Sequence, residues 1–390
     1  MAADPVYLPA LGLVNALGRG KAAAARGLFR GDPGGMSLEE GWVPGRPVRV
    51  GRVADPLPGA GSRLERLLLA ALEEIRDEVE AERARWGPDR IGVVLGTSTS
   101  GVAEMEAAIV HLGRHGALPP AFRYPEQEMG APAPFLAGLL GLTGPAYTVS
   151  TACTSSGKAL VSARNLLRLG LCDAVITGGA DSLCRLTLNG FAALGAATPA
   201  PTNPMSANRA GINIGEGAAL FVLSREPAPV ALLGVGESSD AYHISSPDPE
   251  GLGAETAMRQ ALRDAGLAGP EVGYLNLHAT ATEQNDAMES RAVARVFPRG
   301  IPCSGTKPLT GHLLGASAAT ELAFCWLALS PRWNPERLLP PHRWDGAADP
   351  ALPALSLVPP GGRDPDLRAC MSNAFAFGGN NLALVAAQVY

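Results

Sequence analysis

A chain of 390 residues with a net charge of −5 has room for two domains or one large two-part fold, and its acidic balance argues against nucleic acid as the main partner. With 46% apolar and 18% charged residues, it reads as a large, well-buried globular protein and not a disordered one. The N-terminus lacks a basic flank before an apolar run, and no stretch approaches the roughly 18 apolar residues of a membrane helix, so a cytoplasmic protein without membrane insertion is expected.

In chain order, Leu64, Leu67, Leu68, Ala71, Leu72 and Ile75 form one helical stripe, with Arg63, Arg66 and Glu73 outside it. Short apolar runs at Ile91–Leu95 and Ala146–Ser150 read as strands, and Ala159, Ala163, Leu166 and Leu167 mark a helix after them. Further strands are predicted at Ala174–Thr177, Ala219–Leu223, Val230–Gly234, Tyr274–Leu277 and Ile301–Ser304. Leu313–Leu329 is apolar nearly all round, which predicts a helix buried inside the molecule. Arg332–Asp366 is Pro-rich and reads as an ordered surface excursion, followed by strands at Ala369–Met371 and Leu382–Ala386. Runs without polar alternation point to strands covered on both faces, as in α/β folds.

Thr148–Leu167 and Pro302–Leu322 echo one another as strand, polar turn and Gly/Ala-rich helix. Each half ends in a Gly-rich turn and a last strand, Gly211–Leu223 and Phe377–Ala386. Two related α/β halves, 1–228 and 229–390, are therefore expected, meeting near Arg225–Pro229.

Four segments carry candidate chemistry. In Val149-Ser150-Thr151-Ala152-Cys153-Thr154-Ser155-Ser156-Gly157 a strand stops, a Cys follows and a helix of small residues begins. Such an elbow holds a nucleophile clear of the sheet, and a helix N-terminus stabilises a thiolate. The other five cysteines (Cys172, Cys184, Cys303, Cys325, Cys370) read as small buried hydrophobes in a reducing compartment. His278 ends a buried strand in Leu277–Asp286, with Glu289 beyond it. Gly305-Thr306-Lys307-Pro308-Leu309-Thr310-Gly311-His312 precedes the buried helix, on which Glu321 can meet a cation such as Lys307. In Ser372–Asn381, Gly378 and Gly379 follow Phe377 and let backbone approach a ligand.

Together these segments resemble the β-ketoacyl-acyl carrier protein synthases of the thiolase superfamily, in their elongating Cys–His–His branch. Gly178-Gly179-Ala180-Asp181, Gly211–Ala218 and Ser238–His243 extend the resemblance over essentially the whole chain. It implies a five-layer αβαβα fold of two pseudo-symmetric halves, usually dimeric, either as a homodimer or as a heterodimer with a related subunit. By resemblance Cys153 is the nucleophile, His278 and His312 surround a malonyl thioester, and Lys307 organises the network with Asp286, Glu289 or Glu321. Phe377 is the gating aromatic, and its N–H joins that of Cys153 in an oxyanion hole. Thr280 and Thr282 match threonines that hold a phosphopantetheine arm. The resemblance implies substrates delivered on acyl carrier protein, with no metal or bound cofactor. Carrier proteins are typically acidic, so Arg63 and Arg66 are the candidate docking residues.

Three positions depart from the family pattern: Ala279 stands for Gly after the histidine, and Ala376 and Asn380 stand for Gly and Thr in the C-terminal loop. An Ala at 376 is expected to stiffen that loop if it needs positive φ. Arg123–Met129 falls where relatives place an acyl tunnel, but it is polar, and its charges read as facing solvent. Thiolases place a second catalytic Cys in the last segment, and Cys370 falls too early for that role. Priming ketosynthases and chalcone-synthase relatives carry Asn where this chain has His312, and chain-length-setting relatives lose the Cys. An elongating ketosynthase of fatty acid, aryl polyene or type II polyketide synthesis is the reading, with a lean toward the specialised pathways. A largely structural, chain-length-setting subunit of a heterodimer is the alternative.

Overall fold

The computed structural model describes residues 5–389. Ten strands carry the architecture: β1 (Val6–Asn15), β2 (Ile91–Gly96), β3 (Ala146–Val149), β4 (Ala174–Asp181), β5 (Gly217–Ser224), β6 (Val230–Ser239), β7 (Tyr274–Leu277), β8 (Pro302–Gly305), β9 (Ala369–Ala376) and β10 (Asn380–Gln388). Along the sheet the first five lie in the order β3-β2-β4-β5-β1, and the other five as β8-β7-β9-β10-β6. Counted within each half, these are the same order. In both halves the third, second and fourth strands run parallel, and the fifth is antiparallel to both neighbours. A short antiparallel contact of β1 with β6, Val6 opposite Leu232 and Tyr7 opposite Ala231, joins the two.

Parallel neighbours require crossovers, and helices provide them. α1 (Arg63–Leu72) and α2 (Pro132–Leu140) cover one face of the first half, α3 (Ser155–Arg168) covers the other, and α4 (Arg185–Ala193) follows β4. α7 (Ser317–Leu329) packs on α3 and on β9 and β10, while α5 (Leu252–Ala265) and α6 (Glu283–Val296) close the far side. The result is five layers, and a separate apolar core fills each outer interface and the middle. The middle layer explains α7: every residue from Ser317 to Leu329 is buried, so its sequence has no polar face to show. α1 begins at a capping box in which Ser62 and Glu65 satisfy each other's backbone N–H groups.

The sequence pattern misses β1 because Pro9 and Gly12 interrupt it. A register shift between Tyr7 and Ala10 accommodates the proline. It also stops β4 short, at Gly178-Gly179, which reads as a turn. A Cβ at Gly179 would lie 2.4 Å from Gly96 O and 2.7 Å from Ser156 Cβ, so this glycine serves close packing of α3 on the strand. A small sheet of Met36–Val43, Arg46–Gly51 and Ile214–Gly215 is also missing from the sequence reading, because glycine, proline and charged residues break up its pattern although Val43, Val48, Val50 and Ile214 bury an apolar face.

Arg63 and Arg66 do not stand on a free basic face. Arg63 turns inward to Glu216, at 2.6 Å, and to the Val53 carbonyl, at 2.9 Å. Arg66 donates to the Leu57 carbonyl at 2.9 Å. Glu216 is almost fully buried and needs a cation, so the expectation of an exposed docking pair is corrected: both arginines tie the 52–57 segment to α1.

The Pro-rich excursion is pinned by His342. Its Nδ1 accepts from Gly305 N–H and its Nε2–H donates to the Pro204 carbonyl, both at 3.0 Å. Burial pushes the imidazole down to about 4, below its unfolded value of about 6.5. The stability it contributes is therefore present above the unfolded pKa and lost as pH falls toward the folded one. Between pH 6.5 and 4 the wild type should lose about 3 kcal/mol more than His342→Gln, which takes up no proton there; urea unfolding at the two pH values checks this.

Candidate active site

Cys153 sits where β3 gives way to α3. Ala152 just before it is held at φ 54, a left-handed conformation costly for a non-glycine residue. The surrounding hydroxyls over-determine that turn. Ser155 Oγ donates to the Ala152 carbonyl at 2.6 Å and accepts from Thr151 N–H at 2.9 Å, and Thr154 Oγ1 donates to the Thr151 carbonyl at 2.8 Å. The N–H groups of Cys153 and Phe377 both face the sulfur, which is the arrangement an oxyanion hole needs. Burial pushes the thiol up to about 11, while the Lys307 charge and the two N–H groups pull it down. Burial outweighs the donors, so the balance at this sulfur favours the neutral thiol.

His278 and His312 lie beside the sulfur. Cys153 Sγ and a nitrogen of each ring fall within 4.8 Å of one another, and the rings meet edge-on with centroids 5.4 Å apart. Their tautomers follow from their neighbours. Leu314 N–H donates to His312 Nδ1 at 2.9 Å, and Ser317 Oγ lies 2.8 Å from the same nitrogen. The proton must then be on Nε2, which is buried and has no protein partner. Lys307 Nζ lies 3.3 Å from His278 Nδ1, which leaves His278 Nε2 as the second N–H. Burial and then the Lys307 charge hold both imidazoles well below their ordinary pKa, His312 adding to the effect on His278. Two neutral rings thus offer N–H donors beside the thiol.

Lys307 is buried and also bonds the His278 carbonyl and Glu321. Of the three carboxylates expected around it, Glu321 is its ion-pair partner. Glu289 instead accepts the N–H groups of His278 and Ala279, each at 2.7 Å. Asp286 accepts those of Met205, at 2.7 Å, and Ala281, at 3.1 Å. Burial raises Glu321 and Glu289 to about 7 and Asp286 to about 6. Ala279 and Ala281 have φ of 43° and 61°, so these carboxylates hold a strained loop in place. Restoring glycine with Ala279→Gly should stabilise the fold by about 1 kcal/mol, seen as a higher urea midpoint at an unchanged slope.

Above the sulfur lies a cavity of about 230 Å³ lined by Phe191, Leu194, Ile212, Thr280, Thr282 and Phe377, among others. Thr280 and Thr282 face each other with their hydroxyls 2.9 Å apart. Phe377 stacks on Phe191 with centroids 5.5 Å apart. Gly378 and Gly379 supply the positive φ of this loop, at 83° and 76°, whereas Ala376 pairs with Asn380 as extended strand. The expected stiffening by Ala376 therefore does not arise. Arg123–Met129 does not line the cavity, and Tyr124 is largely exposed. Sequence reasoning missed Ser317 and Phe191. Ser317 has a weak signal as a hydroxyl five residues after His312, at the start of the buried helix, while Phe191 has none, as it is one apolar residue in an apolar helix.

The family description "Beta-ketoacyl synthase, N-terminal domain" matches residues 59–228, and "Beta-ketoacyl synthase, C-terminal domain" matches residues 230–339. The chain is 37% identical to Nodulation protein E of Rhizobium meliloti over 262 residues, which is 64% of this chain and 63% of the relative, just under two thirds of that protein's length. It is 32% identical to 3-oxoacyl-[acyl-carrier-protein] synthase 2 of Vibrio harveyi over 339 residues, covering 81% of this chain and 79% of the relative. Among solved structures, a chain of the ketosynthase ApeO in complex with its chain length factor ApeC from Xenorhabdus doucetiae superposes with a TM-score of 0.94 at 44% identity, covering 99% and 98% of the two chains. The ishigamide ketosynthase/chain length factor gives a TM-score of 0.89 at 27% identity, over the full length of both. With both domains matched around a buried Cys, two histidines and a lysine, this chain belongs to the β-ketoacyl synthase family.

Proposed function

We propose that the chain is a β-ketoacyl-[acyl carrier protein] synthase that extends an acyl group held on Cys153 by decarboxylative Claisen condensation. The observation that carries this is the pair of neutral imidazoles presenting Nε2–H beside a thiol that faces two backbone N–H groups. In the first half-reaction Cys153 Sγ attacks an acyl thioester. Its carbonyl oxygen becomes an oxyanion between the N–H groups of Cys153 and Phe377, the carrier thiol leaves, and the cysteine proton goes with it. In the second, a malonyl thioester loses CO2, and the enolate oxygen accepts from His278 and His312 Nε2–H. The enolate carbon then attacks the acyl-Cys153 carbonyl and the Cys153 sulfur leaves. Thr280 and Thr282 line the path of the arm, and Phe377 stands across it on its two-glycine hinge.

The substrates are proposed to arrive on acyl carrier protein, and a related subunit to complete the assembly. β3 is the last strand of its edge, and the helix Val102–His115 that follows β2 in the chain exposes Ile109, Val110 and Leu112, apolar surface of the kind a partner covers. The likeness to ketosynthases solved with chain length factors favours a heterodimer and a specialised polyene or polyketide pathway. Among the described residues no helix is long and apolar enough to cross a membrane. The intact Cys–His–His–Lys set disfavours a purely structural role. A panel of saturated, conjugated and aryl-enoyl carrier thioesters, offered with and without a related subunit, tests this reading. Selective extension of conjugated or aryl starters is expected. Extension of saturated long chains by the chain alone would place it in fatty acid synthesis.

A further inference from the structure

Asp181 ends β4 fully buried, outside the chemistry described above. Its Oδ1 accepts from Thr97 Oγ1 at 2.6 Å, Thr99 Oγ1 at 2.7 Å, and Ser98 and Thr99 N–H at 2.8 Å each. Four donors converging on one oxygen require an acceptor there. The groups that oppose the rise of this carboxyl on burial are hydroxyls and N–H groups, with no cation among the main ones. A buried carboxylate held by hydrogen bonds alone is costly to keep for packing.

What those bonds fix is the loop after β2, and that loop touches both halves of the active site. Ser98 Oγ donates to the Ala152 carbonyl at 3.3 Å, the strained peptide that presents Cys153. On the other side, a Cβ at Gly315 would lie 2.8 Å from Asp181 Oδ2 and 2.7 Å from Ser98 N. Gly315 belongs to the turn whose Leu314 N–H sets the His312 tautomer. One carboxylate thus fixes the loop on which the nucleophile elbow and the histidine turn both rest. The elbow comes from the first half of the fold and the turn from the second.

We infer that Asp181 is a positioning residue which, through Ser98, sets the geometry of Cys153 relative to His312. The inference rests on the ketosynthase reading for its kinetic test but not for its chemical one. Asp181→Asn is nearly isosteric but puts an amide where the carboxylate accepts. Ser98→Ala removes only the link to Ala152. Two quantities are measured beside Tm: the rate of Cys153 loading from an acyl carrier, by intact mass, and the rate of Cys153 alkylation by iodoacetamide. Asp181→Asn should lower the loading rate on the order of ten- to a hundredfold, with KM for the carrier substrate within about twofold. Ser98→Ala should lower it roughly tenfold, and both variants should alter the alkylation rate of folded protein. Loading and alkylation at wild-type rates per folded molecule in both variants would overturn the inference. If Asp181→Asn does not fold, Ser98→Ala decides by the same criteria. If the wild type loads no carrier at all, the functional reading fails, and alkylation of the variants still tests the positioning.

Discussion

Cys153→Ala should stop carbon–carbon bond formation while leaving malonyl decarboxylation running. The two half-reactions use different groups. In the proposed mechanism the sulfur and the N–H groups of Cys153 and Phe377 serve acyl transfer, while the Nε2–H groups of His278 and His312 serve the enolate. Alanine keeps the backbone N–H and removes only the sulfur, so the elbow hydrogen bonds from Ser155 and Thr154 remain. Condensation should fall on the order of 10,000-fold or more, as for loss of a nucleophile elsewhere. Malonyl carrier should still release CO2 and accumulate acetyl carrier. Intact-mass spectrometry of the carrier reads both products in one experiment, and equal loss of both would contradict the division of labour.

Lys307→Met should abolish decarboxylation and destabilise the fold in a pH-dependent way. Lys307 holds the His278 tautomer and carbonyl and pairs with Glu321 in a site closed to water. Removing the cation leaves a buried carboxylate alone, which costs about 3–5 kcal/mol. Glu321 already sits at about 7 with Lys307 beside it, and without that attraction it rises further. A carboxyl raised above its unfolded value favours the fold at low pH and loses that advantage as pH climbs through the folded pKa. The stability gap between wild type and Lys307→Met should therefore widen from pH 5 to pH 8. Adding Glu321→Gln should recover most of the stability, since neutral isosteres of a buried pair are often tolerated. It should not recover activity, because nothing then fixes His278. Urea midpoints at both pH values, with CO2 release, separate the two effects.

The fold was legible where burial on both faces left strands almost without polar residues, as in β2 and β5, and where α7 had no polar face. It was illegible where glycine or proline has a packing reason. Pro9 sits in a bulge of β1, and Gly179 makes room for Ser156, yet both look like breaks in a one-dimensional pattern. At the site, Cys153, His278, Lys307 and His312 could be read because each stands at the end of a strand or the start of a turn. Which acid pairs with Lys307 could not, since Asp286 and Glu289 on α6 and Glu321 on α7 are equally charged and equally buried. Only the three-dimensional arrangement assigns two of them to backbone N–H groups. Arg63 and Arg66 misled for a related reason: helical periodicity shows which side faces the core, but not that Glu216, more than 150 residues away, reaches round to meet Arg63.

In the proposed reaction one acyl group rests on Cys153 and is then joined to a malonyl unit that loses its carboxyl. The most direct test is a single-turnover experiment. The protein is loaded from an acyl carrier, freed of excess donor and then given malonyl carrier, while the mass of the protein, the mass of the carrier and released CO2 are followed together. Acyl-Cys153 should disappear as β-ketoacyl carrier and CO2 appear in equal amounts. CO2 release with the acyl group still on Cys153, or product formed without an acyl-Cys153 stage, would contradict it.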